Sequence, residues 1–592
     1  MADSITARLL AQAAREPERI AVHLLRTATR SAFRDEVVTL RAWVRGAGNC
    51  AAALAREGLR RGDRVLLCVP TGRAFLDGFL GASMIGAAPV PLPSLEGIAR
   101  PAAFENRLTS VIRDAAPSAI FADRRTAAHL RDSGLVSPDL PLIDPRTVER
   151  ATPPEPAPAQ GDETALIQYT SGSTGTPRGV VITAANLAAN VDAMGKGLGF
   201  SREDHVVSWL PLYHDMGLIG ALLGPLAHGS TIWLMSPLEF MVRPANWMQA
   251  VSDARATLTV APNFAYGLVA RKVPDEDLKG LDLSSLRAAI NGAEPVDPAT
   301  AEAFCNRMAP LGFRRENYFP VYGLAESTLS VAFPPLHRGV KVDYVRRDHL
   351  AEGLASPAEP GPGSIGLVSV GSAVDGHEIT IVSVEPHHAV LPERRLGQIW
   401  VRGPSVSPWY FEQHQPVRER RTSLRTGDVG YMADGELYVV DRLKDLVMVA
   451  GRCYSPSDIE RAAERVAGVR PGRSVAFGVI DPEMGTESLV ILAEVQPRTA
   501  EQLEELADAV RGRVADETGL SPKQVCLLKP GFLPRTPNGK LMRRSARDRY
   551  LAGALDGAQA LRPPLTVRVV QAARDVWRGW RWRAAAMLRP DR

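Results

Sequence analysis

Cysteine is scarce in this 592-residue chain: Cys50, Cys68, Cys305, Cys453 and Cys526 make an odd five, with no CxxC pair among them. That excludes a disulfide framework and a cysteine-built zinc site, and it fits a reducing, cytoplasmic setting. Long apolar runs are also missing. No uncharged stretch approaches the roughly 20 residues a membrane-spanning helix needs. The first twenty residues form an amphipathic pattern with acids and bases, without the apolar core of a signal peptide. Charge of one sign is not in excess, because the net charge is only +4. Eight arginines crowd into residues 561–592 against Asp575 and Asp591, so the rest of the chain is slightly acidic. This argues against nucleic acid as a partner of the main body. Gly 50 and Pro 46 are scattered without a period, which excludes collagen-like and low-complexity architectures.

What is present is an ordinary globular mixture, 45% apolar and 23% charged, over a length that exceeds one compact core. The first 150 residues alternate apolar runs with helical patterns. RVLLCVP (64–70) reads as a buried strand, 74–88 as a helix and PVPLP as a strand exit, the rhythm of a parallel sheet. ATPPEPAPAQ (151–160) reads as an exposed connection. ALIQYT, VVIT, HVVSWL, TIWLM, TLTVAP and LRAAINGA continue the strands. From about 360 the pattern changes to short strands with Gly-rich turns. After 441–451 strands and helices alternate again, enough for a separate small α/β domain.

The densest chemical signal is Tyr169-Thr170-Ser171-Gly172-Ser173-Thr174-Gly175-Thr176-Pro177-Arg178-Gly179, set between two strand candidates. Glycines let backbone N–H groups close on an anion, and hydroxyls add donors, so the loop suits phosphates. A flexible Ser/Gly linker is the bland alternative, and two flanking strands argue against it. The loop is not a Walker motif, whose Gly-Lys-Ser/Thr ending is absent.

This loop resembles the signature of the adenylate-forming superfamily, and further strings follow in that family's order. The resemblance implies an α/β fold: a large multi-sheet adenylation domain (1–442), a small mobile α/β domain (443–550) and a basic amphipathic tail (551–592). It implies that Thr170, Ser171, Gly172, Ser173, Thr174, Gly175 and Arg178 hold ATP phosphates, with Arg178 standing where relatives carry Lys. WLPLYHDMGLIG (209–220) implies that His214 lies beside the carboxylate of the acid. Asn291, Gly292, Ala293 and Glu294 resemble the segment bordering adenine. Tyr322, Gly323, Glu326 and Ser327 resemble the next, with an aromatic ring for the base, a carboxylate for Mg²⁺ and a hydroxyl near the α-phosphate. Asp428 and Arg442 match the ribose contacts, Lys444 the hinge and Lys540 the catalytic lysine, although Lys444 also reads as an ordinary surface lysine.

LIQYTSGST, SWLPLYHDMGLIG, MSPLEFMVRPANWM, APNFAYGL and YGLAESTL resemble the fatty acyl-AMP ligase branch in particular. That branch implies activation of a fatty acid by Mg·ATP to acyl-adenylate and pyrophosphate. Transfer to the phosphopantetheine thiol of an acyl carrier protein, or of a polyketide or peptide synthase, then follows. The stretch between Ser327 and Gly366 resembles the branch's extra segment, which disfavours coenzyme A. Arg452 to Pro456 and Pro408-Trp409-Tyr410 depart from the branch's patterns. Two rival readings stand beside this one: an acyl-CoA synthetase, and a catalytically silent adenylate-binding or scaffolding protein. In the tail, Val569, Val570, Ala573, Val576, Trp577, Trp580, Ala584, Met587 and Leu588 share one helical arc opposite Arg568, Arg574, Arg578, Arg581 and Arg583. That pattern serves a helix packed on the protein's own body, a peripheral membrane contact or an acidic carrier protein.

Overall fold

The computed structural model describes residues 4–29, 32–95, 101–170, 177–361, 363–384, 388–412, 415–416, 423–449, 452–480, 487–496, 499–535 and 541–554. The chain divides into two compact units. The first holds residues 1–340, 370–378 and 401–424; the second holds 341–369, 379–400 and 425–592. The expected architecture, a large multi-sheet α/β body and a smaller α/β one, is present.

In the first unit, apolar runs predicted as strands build two parallel sheets. Arg64–Cys68 lies between Ala88–Pro91 and Ala119–Ala122, with Leu142–Ile143 at the edge. Its three longer strands are almost wholly buried, as a sheet covered by crossover helices requires. The helix predicted from residue 74 runs over Arg73–Met84. The connection 151–160 is mostly exposed and without regular structure, and Ala157 N–H anchors it to the Met84 carbonyl.

The second sheet positions the site. Its order is Tyr318–Pro320, Ala288–Asn291, Leu258–Ala261, His205–Ser208, Thr231–Met235, Ile20–Thr29 and Ala32–Thr39. All strands but the last run parallel. After Thr231–Met235 the chain crosses back to the other side of His205–Ser208, which makes that strand the point where strand order reverses. Parallel α/β sheets open a ligand crevice there, outside the carboxyl ends of the strands. Beyond the end of His205–Ser208 the chain enters a π-helix, Met216–Leu223. A wider turn of this kind recurs at functional sites.

In the second unit a three-stranded sheet, Val469–Ile480, Glu487–Val495 and Gln524–Leu528, packs against Pro456–Glu464 and Ala500–Thr518. Thr499 and Gln502 form a reciprocal capping box on the long helix, and Gly519 ends it in the left-handed conformation. The stretch after Ser327 contributes a hairpin here, Val342–Arg346 with Ser364–Val368. Arg347, directly after its first strand, clamps Asp458 at 2.9 and 3.1 Å and donates to the Glu517 carbonyl at 2.7 Å. The extra segment is therefore fastened to the C-terminal helices by a largely buried ion pair.

Candidate active site

The phosphate-loop candidate is held by a hairpin of Thr164–Thr170 and Arg178–Thr183, in which Thr170 sits opposite Arg178. Ser171, Gly172, Ser173, Thr174 and Gly175 lie outside the described residues. The hairpin is fixed from both sides. Tyr169 donates its hydroxyl to Asp114 at 2.5 Å, and burial with this carboxylate raises the phenol's pKa far above its usual value. Gln168 Nε2 donates to the Tyr213 carbonyl at 2.6 Å, which ties the hairpin to the turn that carries His214. Gly179 is required by space: a Cβ there would stand 3.0 Å from the Tyr169 ring and from Ile167.

His214 follows the strand His205–Ser208 in that turn. Its Nδ1 lies 2.6 Å from Asp215 Oδ1, leaving Nε2 as the ring's other polar atom. Asp215 also accepts the Met216 N–H at 2.7 Å and so caps the π-helix. Gly217 permits the turn, since a Cβ would meet the Pro211 carbonyl at 2.4 Å. Beneath lies an aromatic layer: Trp209 stacks on Phe240 at 3.9 Å and meets Trp247 and Phe264 edge-on. Among the described residues the buried Trp209 indole nitrogen has no hydrogen-bond partner.

The next strand ends hold the adenine candidates. Asn291 is fully buried and donates to Tyr318 Oη at 2.7 Å and Asn263 Oδ1 at 3.1 Å. Gly292 is crowded by Val321, and Met216 lies close by, so the His214 turn and the 291–294 segment share one wall. Ala293 takes a left-handed conformation, φ +68. Glu294 accepts the Phe264 N–H at 2.5 Å.

Tyr322 and Gly323 form a short strand against Ser330–Phe333, and Glu326 and Ser327 follow in a helical turn. This turn is braced from the segment 403–410. Ser407 N–H donates to the Glu326 carbonyl at 2.8 Å, and Thr328 Oγ1 donates to the Ser405 carbonyl at 2.7 Å. Thr328 is buried with φ +65, a strained state for a β-branched residue that this bracing sustains. Ser327 Oγ lies 3.3 Å from Ser405 Oγ, and Asn190 and His377 also reach Ser405. Tyr410 Oη donates to Glu326 Oε1 at 3.2 Å, while its ring lies 5.4 Å from the Arg178 guanidinium carbon. Phosphate-loop cation and candidate metal carboxylate thus meet on one aromatic side chain.

In the second unit Asp428 pairs in register with Arg442, their side chains 3.4 Å apart. Gly427, φ +76, makes the tight turn, and its carbonyl accepts the Leu443 N–H at 2.9 Å. Lys444 lies two residues beyond Arg442; burial lowers its pKa. Three residues past Lys540, Arg543 is clamped by Glu460 at 2.7 Å and neighbours Asp441 and Asp445. Lys540 itself lies outside the described residues, as does the tail from residue 555.

The first unit therefore brings together Thr170, Arg178, His214, 291–294 and 322–327; the second brings together Asp428, Arg442 and Lys444. Sequence reasoning missed Gln168, Asp215, Asn190, Ser405 and, above all, Tyr410, whose PWY string had registered only as a departure. As to metal, no cluster of three or more His, Cys, Asp or Glu able to hold an ion occurs among the described residues. A lone carboxylate such as Glu326 suits Mg²⁺ that arrives on nucleotide phosphates and keeps its waters.

The AMP-binding enzyme family matches residues 9–411. The long-chain-fatty-acid–AMP ligase FadD26 of Mycobacterium marinum is 35% identical over 528 residues, 83% of this chain and 87% of that protein. The medium-chain-fatty-acid–acyl-carrier-protein ligase JamA of Moorena producens is 32% identical, covering 84% of this chain and 88% of its own. A solved structure from work on fatty acyl-adenylate ligases of E. coli and L. pneumophila matches with a TM-score of 0.84 at 30% identity, over 93% of this chain and 98% of that one. With the family profile spanning most of the first unit and relatives of this identity along most of its length, the chain belongs to the AMP-binding enzymes, in their fatty acyl-AMP ligase branch.

Proposed function

We propose that this acid-activating, AMP-forming ligase joins a fatty acid to AMP and then passes the acyl group to the phosphopantetheine thiol of an acyl carrier protein. In the first step a carboxylate oxygen attacks the α-phosphorus of ATP, and pyrophosphate leaves with the broken phosphoanhydride bond. In the second the thiol attacks the acyl carbonyl, loses its proton, and AMP leaves. The observation that carries the reading is the carboxyl edge of the seven-stranded sheet. There the His214 turn stands at the reversal of strand order, beside the 291–294 and 322–327 segments.

In this reading Thr170 to Gly175 and Arg178 hold the β- and γ-phosphates, and His214 orients the carboxylate. Asn291 to Glu294, Tyr322, Gly323 and Ser327 line the adenosine. Asp428 and Arg442 hold ribose, Lys444 is the hinge between a 1–442 body and a 443–550 body, and Lys540 steadies the attacking carboxylate. Glu326 would hold Mg²⁺, which neutralises charge developing on the phosphates when bound. The clamp of Arg347 on Asp458 supports a restrained small domain, and with it a carrier protein in preference to coenzyme A. No helix among the described residues is long and apolar enough to cross a membrane. We place the enzyme in the cytoplasm, its basic 562–592 tail facing an anionic partner, carrier protein or membrane surface.

The test is pyrophosphate release over fatty acids of graded length, followed by competition between coenzyme A and holo carrier protein. Carboxylate-dependent release that falls roughly 100-fold or more in Lys540→Ala, with transfer to the carrier, is the expected result. Rapid acyl-CoA formation instead would make the chain an acyl-CoA synthetase. No release at all would make it a silent adenylate-binding protein.

A further inference from the structure

Arg178, at the exit of the candidate phosphate loop, is an arginine although a lysine would carry the same charge. The neighbourhood supplies a reason. Strand Tyr410–Glu412 runs antiparallel to Arg178–Thr183, with Tyr410 opposite Val180 and Phe411 opposite Gly179. This register lays the Tyr410 ring under the Arg178 side chain, 5.4 Å from the guanidinium carbon. A planar, weakly hydrated guanidinium stacks on an aromatic face; a compact ammonium on a flexible stem gains less and stays hydrated. The same ring carries the hydroxyl that donates to Glu326 Oε1 at 3.2 Å.

The segment holding Tyr410 is not free to drift. Ser407 bridges both neighbours at once, its N–H donating to the Glu326 carbonyl at 2.8 Å and its hydroxyl to the Val181 carbonyl at 2.7 Å. Tyr410 is therefore set on a rigid mount between the exit strand of the phosphate loop and the 326 turn. A side chain placed this way helps to fix the separation of one cation and one carboxylate, each carried on a long, rotatable side chain.

Resting on the function proposed above, we infer that Tyr410 is a positioning residue that couples the phosphate-loop cation Arg178 to the carboxylate Glu326. Its ring selects arginine over lysine at 178, and its hydroxyl holds Glu326 in the orientation that meets nucleotide-borne Mg²⁺. Tyr410 touches neither reacting atom; it acts through its two neighbours.

The full-length chain and its Y410F, Y410L, R178K and Y410L/R178K variants decide this. Two readouts are needed: ATP binding by calorimetry with and without Mg²⁺, and the KM and kcat of fatty-acid-dependent pyrophosphate release. Y410F keeps the ring and loses the hydroxyl. It should raise the Mg²⁺ concentration for half-maximal ATP binding about ten-fold, the size of one hydrogen bond to a charged group. The KM for the acid should stay unchanged. Y410L should also weaken Mg²⁺-free ATP binding about five-fold through lost guanidinium stacking. R178K should cost the same five-fold in the native background and nothing more in Y410L, because the ring that distinguished the two cations is gone. Unfolding curves of Y410F superposable on the native ones separate positioning from folding. Native-like Mg²⁺ dependence in Y410F, with an equal R178K effect in both backgrounds, overturns the inference while leaving adenylation standing. A native chain that binds ATP yet releases no pyrophosphate overturns both.

Discussion

At the scale of single residues, burial decides behaviour more than side-chain type. Asp77, in the helix Arg73–Met84, is 7% exposed; desolvation raises its pKa to about 6 although Arg73 Nε reaches both carboxylate oxygens at 2.8 and 2.9 Å. A carboxyl whose folded pKa exceeds its unfolded value binds its proton more readily when folded. Its contribution is therefore most favourable at low pH and is lost as pH rises from about 4 to about 6, with the full penalty of about 3 kcal/mol above that. In Asp77→Asn this slope should vanish. Urea midpoints at pH 4.5 and 7 should lie closer together than in the native chain, and an unchanged gap would refute the assignment. Gly217 offers a second case. Gly217→Ala places a methyl against the Pro211 carbonyl, 2.4 Å from the ideal Cβ. It should displace the His214 turn and raise the KM for the fatty acid by about ten-fold, more than it weakens ATP binding, as separate titrations would show. Gly217 could be singled out in the sequence only as part of a string. What it avoids, a carbonyl six residues earlier, is a fact of the turn and not of the local pattern.

At the scale of elements, legibility followed the range of the forces involved. Strands such as Arg64–Cys68 and His205–Ser208 were legible because short apolar runs state their own burial. The helix Ala500–Thr518 carries its boundary signals in the local sequence, a capping threonine at 499 and a glycine at 519. The π-helix Met216–Leu223 was not legible, because a run apolar on every side carries no period to separate one helical winding from another. Nor was the brace of the 326 turn, whose partners lie some eighty residues onward at Ser405, Ser407 and Tyr410. The fate of the segment after Ser327 was half legible: its presence could be read, its attachment could not. That attachment yields a prediction. Arg347 and Asp458 are nearly buried, with side-chain exposures of 13% and 14%, so removing Arg347 leaves Asp458 only the more distant Arg461, at 3.7 Å. Arg347→Ala should destabilise the second unit by about 3 kcal/mol. It should also raise acyl-CoA formation relative to carrier acylation, measured in one competition assay. Destabilisation without a change in acceptor ratio would confine the clamp to a structural role.

At the scale of the whole molecule, charge is distributed so that function can be tested piece by piece. The body is slightly acidic, and the positive excess sits in residues 561–592, with eight arginines against two aspartates. Arginines on one side of a helical arc, with Trp577 and Trp580 on the other, suit a surface that is anionic and partly apolar. Such binding falls steeply with salt, because exposed charges are screened beyond about 10 Å at 0.1 M ionic strength. The residues proposed to bind and activate the acid all lie at or before Lys540, so deleting 562–592 should leave fatty-acid-dependent pyrophosphate release near its native rate. Association should change instead. Against anionic vesicles and against holo carrier protein, at low and high salt, the truncated chain should lose binding to one of the two and the native chain should lose it with added salt. The arm that responds identifies the partner. If both arms are unmoved by the deletion, the arginine-rich segment packs on the protein's own body, and a fall in the melting temperature of the truncated chain would register that contact directly.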